Sequence, residues 1–132
     1  MGFREVSHTA DLALEVWAID LPGLLVEAAH GMNELMGVEI EISREIKKKI
    51  SIIADDPESL LVMFLSELLY YAELERIGFY DFNITLDSYH LTAGLFGGVL
   101  KSQLKEIKAV TYHDLKIKEL SCGLMVTIVF DI

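Results

Sequence analysis

Basic residues are scarce in this sequence. Eleven lysines and arginines stand against 21 aspartates and glutamates, a formal net charge of −10. A surface of that sign repels phosphate backbones, so direct high-affinity binding of nucleic acid is not expected; a cation or a partner with a basic surface is. Cysteine occurs once, at Cys122, which excludes an internal disulfide framework. Proline occurs twice, at Pro22 and Pro57, both near helix starts, and there is no repeat, low-complexity tract or Gly/Ser linker. Nothing marks a domain boundary, and residues 1–132 read as one domain. No apolar stretch runs uninterrupted by charge for the length of a bilayer span. The opening Met1-Gly2-Phe3-Arg4-Glu5 has no charged segment leading into an apolar run. The expectation is a soluble, cytoplasmic protein with no membrane partner.

What is abundant is apolar side chain, 52% of the residues, enough for a sizeable core. Leu12, Leu14, Val16 and Ala18 alternate with Glu15 on the other face, the period of a strand. Asp20 can cap a helix with Pro22 in its first turn, running through Leu25, Ala28, Ala29, Met32 and Met36 to a stop at Gly37. A strand over residues 46–54 carries Lys47, Lys48 and Lys49, the mark of an edge strand kept soluble by charge. Asp56-Pro57-Glu58 starts a second helix, whose Leu60, Leu61, Phe64, Leu65, Leu68, Leu69 and Ala72 make a broad apolar stripe suited to the centre of the core. After it the chain is mostly β. Phe82, Ile84 and Leu86, then Tyr89, Leu91, Ala93 and Leu95, flank a turn at Asp87-Ser88, and further strands are expected over residues 107–118 and 124–130. Consecutive strands without intervening helices imply antiparallel pairing. The fold class is α+β, a two-layer sandwich of two helices on a mostly antiparallel sheet.

Familiar chemical motifs are missing. Gly94-Leu95-Phe96-Gly97-Gly98 lacks the Gly-Lys-Ser/Thr ending of a phosphate loop, no Gly-x-Ser-x-Gly elbow is present, and Cys122 has no histidine at zinc-site spacing. Trp17 is isolated and makes no base-stacking platform. Three polar segments remain. His8-Thr9-Ala10-Asp11 puts an imidazole, a hydroxyl and a carboxylate at the entry to a strand; taken alone it reads more often as a turn. Phe130-Asp131-Ile132 sets the Asp131 carboxylate beside that of Ile132. Two such groups repel unless a cation or donor stands between them, and oxygen-only ligands suit Ca²⁺ or Mg²⁺ rather than zinc; solvation at a frayed end is an equal reading. Between Lys108 and His113, Val110 and Tyr112 take one strand face and Ala109, Thr111 and His113 the other. Such a face can bind an anion or an acidic group, although an ordinary edge strand accounts for it.

Together and in this order, His8-Thr9-Ala10-Asp11, Ile107-Lys108-Ala109-Val110-Thr111-Tyr112-His113 and Val129-Phe130-Asp131-Ile132 resemble the signatures of the archease family, over a span from about Glu5 to Ile132. The resemblance implies an α+β fold related to strand-helix-strand-strand modules. It implies a non-catalytic accessory protein of an RtcB-type tRNA-splicing RNA ligase. Such a protein promotes guanylylation of the ligase's histidine by GTP, sustains multiple turnover and broadens nucleotide use. It further implies a divalent cation, Ca²⁺ first and Mg²⁺ or Mn²⁺ as alternatives, held by Asp11, Asp131 and the carboxylate of Ile132, with Lys108 as a further functional residue. His8 and His113 match signature positions without an implied role. Residues 73–81 and 121–123 show no recognisable family pattern. Two other readings compete: a metal-dependent hydrolase, and a ligand-binding or scaffold module unrelated to RNA ligation.

Overall fold

The computed structural model describes residues 1–6 and 11–132. In chain order these form β1 (Gly2–Val6), β2 (Leu12–Ala18), α1 (Leu21–Met36), β3 (Glu39–Ile40), β4 (Ile46–Ile53), α2 (Pro57–Tyr70), a π-helical turn (Tyr71–Glu75), β5 (Ile77–Asp87), β6 (His90–Ser102), β7 (Ala109–Val110), β8 (Lys118–Leu120) and β9 (Gly123–Asp131).

Both helices begin as their sequences dictate. The Asp20 carboxylate accepts a hydrogen bond from the Gly23 amide at 2.8 Å, and that of Asp56 from the Ser59 amide at 2.7 Å. Each cap takes up an amide that the first turn leaves unbonded. Helix α1 stops at Gly37, whose backbone is left-handed (φ 60°), a conformation that costs glycine nothing. Helix α2 does not stop at Tyr70. It widens into the π turn, so that Ala72 still faces the core, and ends where Arg76 turns left-handed (φ 56°).

The strands are antiparallel throughout, as expected, and divide into two sheets. In the first, the order is β1-β2-β9-β7, with β8 also paired to β9. In the second, β6 is central: β5 pairs along residues 90–99, β4 along 90–97, and β3 beyond them at Leu100 and Ser102. Strand β4 pairs only with β6, so its three lysines do lie on an edge. Strand β1, unanticipated, pairs with β2 over its whole length. Residues 107–118, expected as one strand, contain only the two-residue β7, a turn, and the start of β8.

Alternation turns one face of each sheet inward. Leu14, Val16, Val126, Ile128 and Phe130 are buried from the first sheet; Ile50, Ile52, Leu91, Ala93 and Leu95 from the second. Both sets join the apolar stripes of α1 and α2 in one core. Phe64 of α2, fully buried, meets Phe82 of β5 edge-on at 6.0 Å between ring centres. A polar tie also crosses from helix to sheet: the Asn33 side-chain amide of α1 donates to the Phe79 carbonyl at 2.8 Å, next to an irregularity in the β5–β6 register. Among the described residues, no helix is long and apolar enough to cross a membrane.

Truncating Phe64 to Ala should cost about 3–5 kcal/mol of stability, since it deletes a fully enclosed ring. Asp56→Ala should cost about 0.5–2 kcal/mol through the lost cap. Asn33→Ala should cost roughly 1–3 kcal/mol, because the Phe79 carbonyl is left without its donor. Urea titrations of the three variants check the ranking, with Phe64→Ala having the lowest midpoint.

Candidate functional site

Asp11, Lys108 and Asp131-Ile132, one described part of each signature segment, meet at one end of the first sheet, and β9 brings them there. It lies between β2 and β7, and its apolar face holds it in register with both. Leu12 of β2 pairs with Phe130 of β9, so Asp11, the residue before Leu12, comes level with Asp131. On the other side, Ala109 pairs with Asp131 and Val110 with Phe130, which brings Lys108 level with Ile132. The Lys108 amide donates to the Asp131 carbonyl at 2.7 Å. Neighbouring strands are about 5 Å apart, so the main chains of Asp11 and Asp131 approach within that order of distance. Asp131 and Lys108 are exposed and Asp11 is half-buried, while Phe130 and Val110 beside them are buried and anchor the end of the sheet.

The segment after β7 is held by its own polar groups. The Thr111 amide and hydroxyl both donate to the Val129 carbonyl, at 3.1 and 2.9 Å. The same hydroxyl accepts from the His113 amide at 3.3 Å. Asp114 then turns left-handed (φ 49°), and the Leu115 amide closes the turn on the Tyr112 carbonyl at 3.1 Å. These contacts interrupt the strand expected over 107–118. Beyond the turn, the Ile117 amide bonds to the Glu58 carboxylate of α2 at 2.9 Å. The alternation read from sequence survives only in part: Val110 is buried, but Tyr112 on the same nominal face is 56% exposed.

Of the sequence candidates, Asp11, Asp131, Ile132 and Lys108 are thus brought to one end of one sheet. His113 lies further along, with its Nε2 3.2 Å from the Asp114 carboxylate. His8, with Thr9 and Ala10, lies outside the described residues. Among the described residues, no group of three or more His, Cys, Asp or Glu side chains is placed to hold a metal ion. The donors that the described residues offer at this end are oxygens, from the Asp11 and Asp131 carboxylates and the main chain. That chemistry fits a hard cation. Glu58, legible in the sequence only as part of a helix start, is a positioning residue for the segment after β7. Its bond to Ile117 spans 59 positions, and no local signal announces it.

The model of the Archease protein family matches residues 3–132. The archease of Methanosarcina barkeri is 34% identical over 141 aligned positions, covering 98% of this chain and 95% of that protein. The archease of Pyrococcus furiosus is 31% identical, with coverages of 92% and 91%. The solution structure of protein 1598 of Methanobacterium thermoautotrophicum superposes with a TM-score of 0.75 at 26% identity, covering 99% of both chains. The crystal structure of an archease from Thermotoga maritima, described as a possible chaperone, gives a TM-score of 0.73 at 24% identity, covering 98% of this chain and 96% of that one. A match along nearly the whole chain, on the same α+β architecture, leads to one assignment: this chain belongs to the archease family.

Proposed function

We propose that this archease is a non-catalytic, cytoplasmic accessory protein of an RtcB-type RNA ligase. Through the end of its first sheet it promotes guanylylation of the ligase and its repeated turnover. The observation that carries this reading is the convergence of three distant segments on that end, with Asp11 and Asp131 level on neighbouring strands and Lys108 hydrogen-bonded to the Asp131 main chain. The description of the Thermotoga relative as a possible chaperone is in keeping with action on a partner protein.

In this proposal Asp11, Asp131 and the carboxylate of Ile132 hold a divalent cation, Ca²⁺ first, with Mg²⁺ or Mn²⁺ as alternatives. When bound, the cation supplies a fixed positive charge that can bridge this end to an anionic group of the partner. Lys108 presents its ammonium on the exposed side of the same end and can take a second anionic oxygen. Thr111 and Glu58 hold the segment after β7 in place, so that Lys108 and Asp131 are presented on a stiff edge. The net charge of −10 complements the basic surface that an RNA-binding partner carries.

Adding the protein to an RtcB-type ligase with GTP and Mn²⁺ should increase the rate of ligase guanylylation. An unchanged rate with an active ligase would sink the proposal. Asp11→Ala and Asp131→Ala should each weaken Ca²⁺ binding in calorimetry by about ten-fold or more and remove most of the stimulation. Lys108→Ala should reduce stimulation while leaving the Ca²⁺ affinity near wild type. Extending the chain beyond Ile132 should weaken Ca²⁺ binding; unaltered affinity would remove Ile132 from the ligand set.

A further inference from the structure

The outer face of the second sheet carries a pattern that the proposed function does not use. On edge strand β4, alternation turns Lys47, Lys49 and Ser51 outward, and all three are exposed. Lys48 points the other way; its ammonium lies 3.7 Å from the Glu75 carboxylate and 5.9 Å from the centre of the Tyr71 ring. Lys47 and Lys49 make no ion pair among the described residues, in a chain with 21 acidic residues. Being two residues apart on a strand, they repeat at about 6.6 Å. That is close to the step between successive phosphates of an extended nucleic-acid strand.

Beside this rail the central strand offers a platform. Lys47 pairs across the sheet with Phe96, and Lys49 with Gly94. Phe96 is half-buried, and the edge of its ring reaches Gly94: its Cε2 and Cζ atoms are 3.5 and 3.6 Å from where a Cβ on Gly94 would stand. Because Gly94 has no side chain, none of its atoms stands over the ring, and a planar base can stack on the ring's exposed side. On the far side of the platform, β5 sets Asn83 opposite Gly94 and Asp81 opposite Phe96, both exposed. An amide and a carboxylate there can meet the donors and acceptors of a base edge. Across the sheet the order is therefore cation, aromatic, polar acceptor, which is the order of phosphate, base and base edge in a nucleotide.

We infer that the outer face of β4, β6 and β5 is a weak binding site for single-stranded nucleic acid. Lys47 and Lys49 take phosphates, Phe96 stacks a base, and Asn83 meets its edge. The overall charge keeps the affinity low and makes it sensitive to salt, which accommodates the absence of tight binding expected from composition. The site is remote in sequence from the Asp131 end, and neither proposal depends on the other.

Fluorescence anisotropy of the intact protein with a short labelled single-stranded RNA tests it. Binding should be weak, with a Kd on the order of 10⁻⁴ M at low salt, and two neutralised phosphates give a slope of about −1.4 in log K against log salt. Lys47→Ala should bring that slope to about −0.7. Phe96→Ala, or Phe96→Leu if the first variant folds poorly by circular dichroism, should weaken binding by about ten-fold or more. Lys118→Ala, on the first sheet, should leave it unchanged. The inference is overturned if no binding is seen at millimolar protein. It is equally overturned if binding ignores Phe96 and the two lysines, or if duplex RNA binds as well without dependence on Phe96. It also fails if poly-glutamate binds in a Lys47- and Lys49-dependent way while the RNA does not, which would make the face a dock for acidic protein segments.

Discussion

Two helices whose apolar surface is too broad for one sheet to cover set the terms of this structure. Helix α1 buries Leu24, Leu25, Ala28, Ala29, Met32, Leu35 and Met36, and α2 buries Leu60, Leu61, Val62, Phe64, Leu65, Leu68 and Leu69. Adjacent positions such as 24–25, 28–29, 60–62 and 68–69 lie about 100° apart around a helix. Burying them all needs partners on more than one side. Among the described residues, nine strands supply these as two antiparallel sheets, each turning one apolar face to the helices. Leaving such a surface in water would forfeit about 25 cal/mol for each Å² exposed.

Strand β9 carries that constraint to the candidate site. Its inward residues Val126, Ile128 and Phe130 are locked into the core, and a slip of one residue would turn them all outward. Because β2 and β7 both read their register from β9, burial of Phe130 also decides the height of Asp11 and Lys108 relative to Asp131. Polar residues outside the core are thus positioned by apolar ones within it. Thr111 and Glu58 complete the arrangement: the Thr111 hydroxyl accepts from the His113 amide and the Glu58 carboxylate from the Ile117 amide.

The second sheet shows the converse. Its inner face is constrained by packing, while its outer face is free to carry charge. The lysines at 47 and 49 have a plain structural role, since charge on edge strand β4 discourages pairing with another chain. Their alignment with Phe96 and Gly94 on the central strand is a property of the register rather than of the edge.

Local rules suffice for much of the fold. Asp20 and Asp56 announce their helices because capping needs only residues three positions away, and Gly37 announces a stop because few other residues adopt its backbone angles cheaply. The alternation of Leu12 to Ala18 and of Leu124 to Phe130 is equally local. Strand β1 is less legible: Phe3 packs against the core, but no run of apolar residues flags it. The interruption after Val110 is not legible, because the competitors of the ladder are a hydroxyl bonded across 18 positions and a carboxylate bonded across 59. The candidate residues Asp11, Asp131 and Lys108 could be named from their segments, but not their meeting. Sequence by itself determined both helix starts, the stop at Gly37, most of the inward faces and the α+β class, since these follow from neighbours along the chain. Tertiary structure alone decided that the strands form two sheets, that β9 sits between β2 and β7, and that three distant segments share one end. Those outcomes depend on which apolar faces bury one another, and that is settled only when the whole core closes.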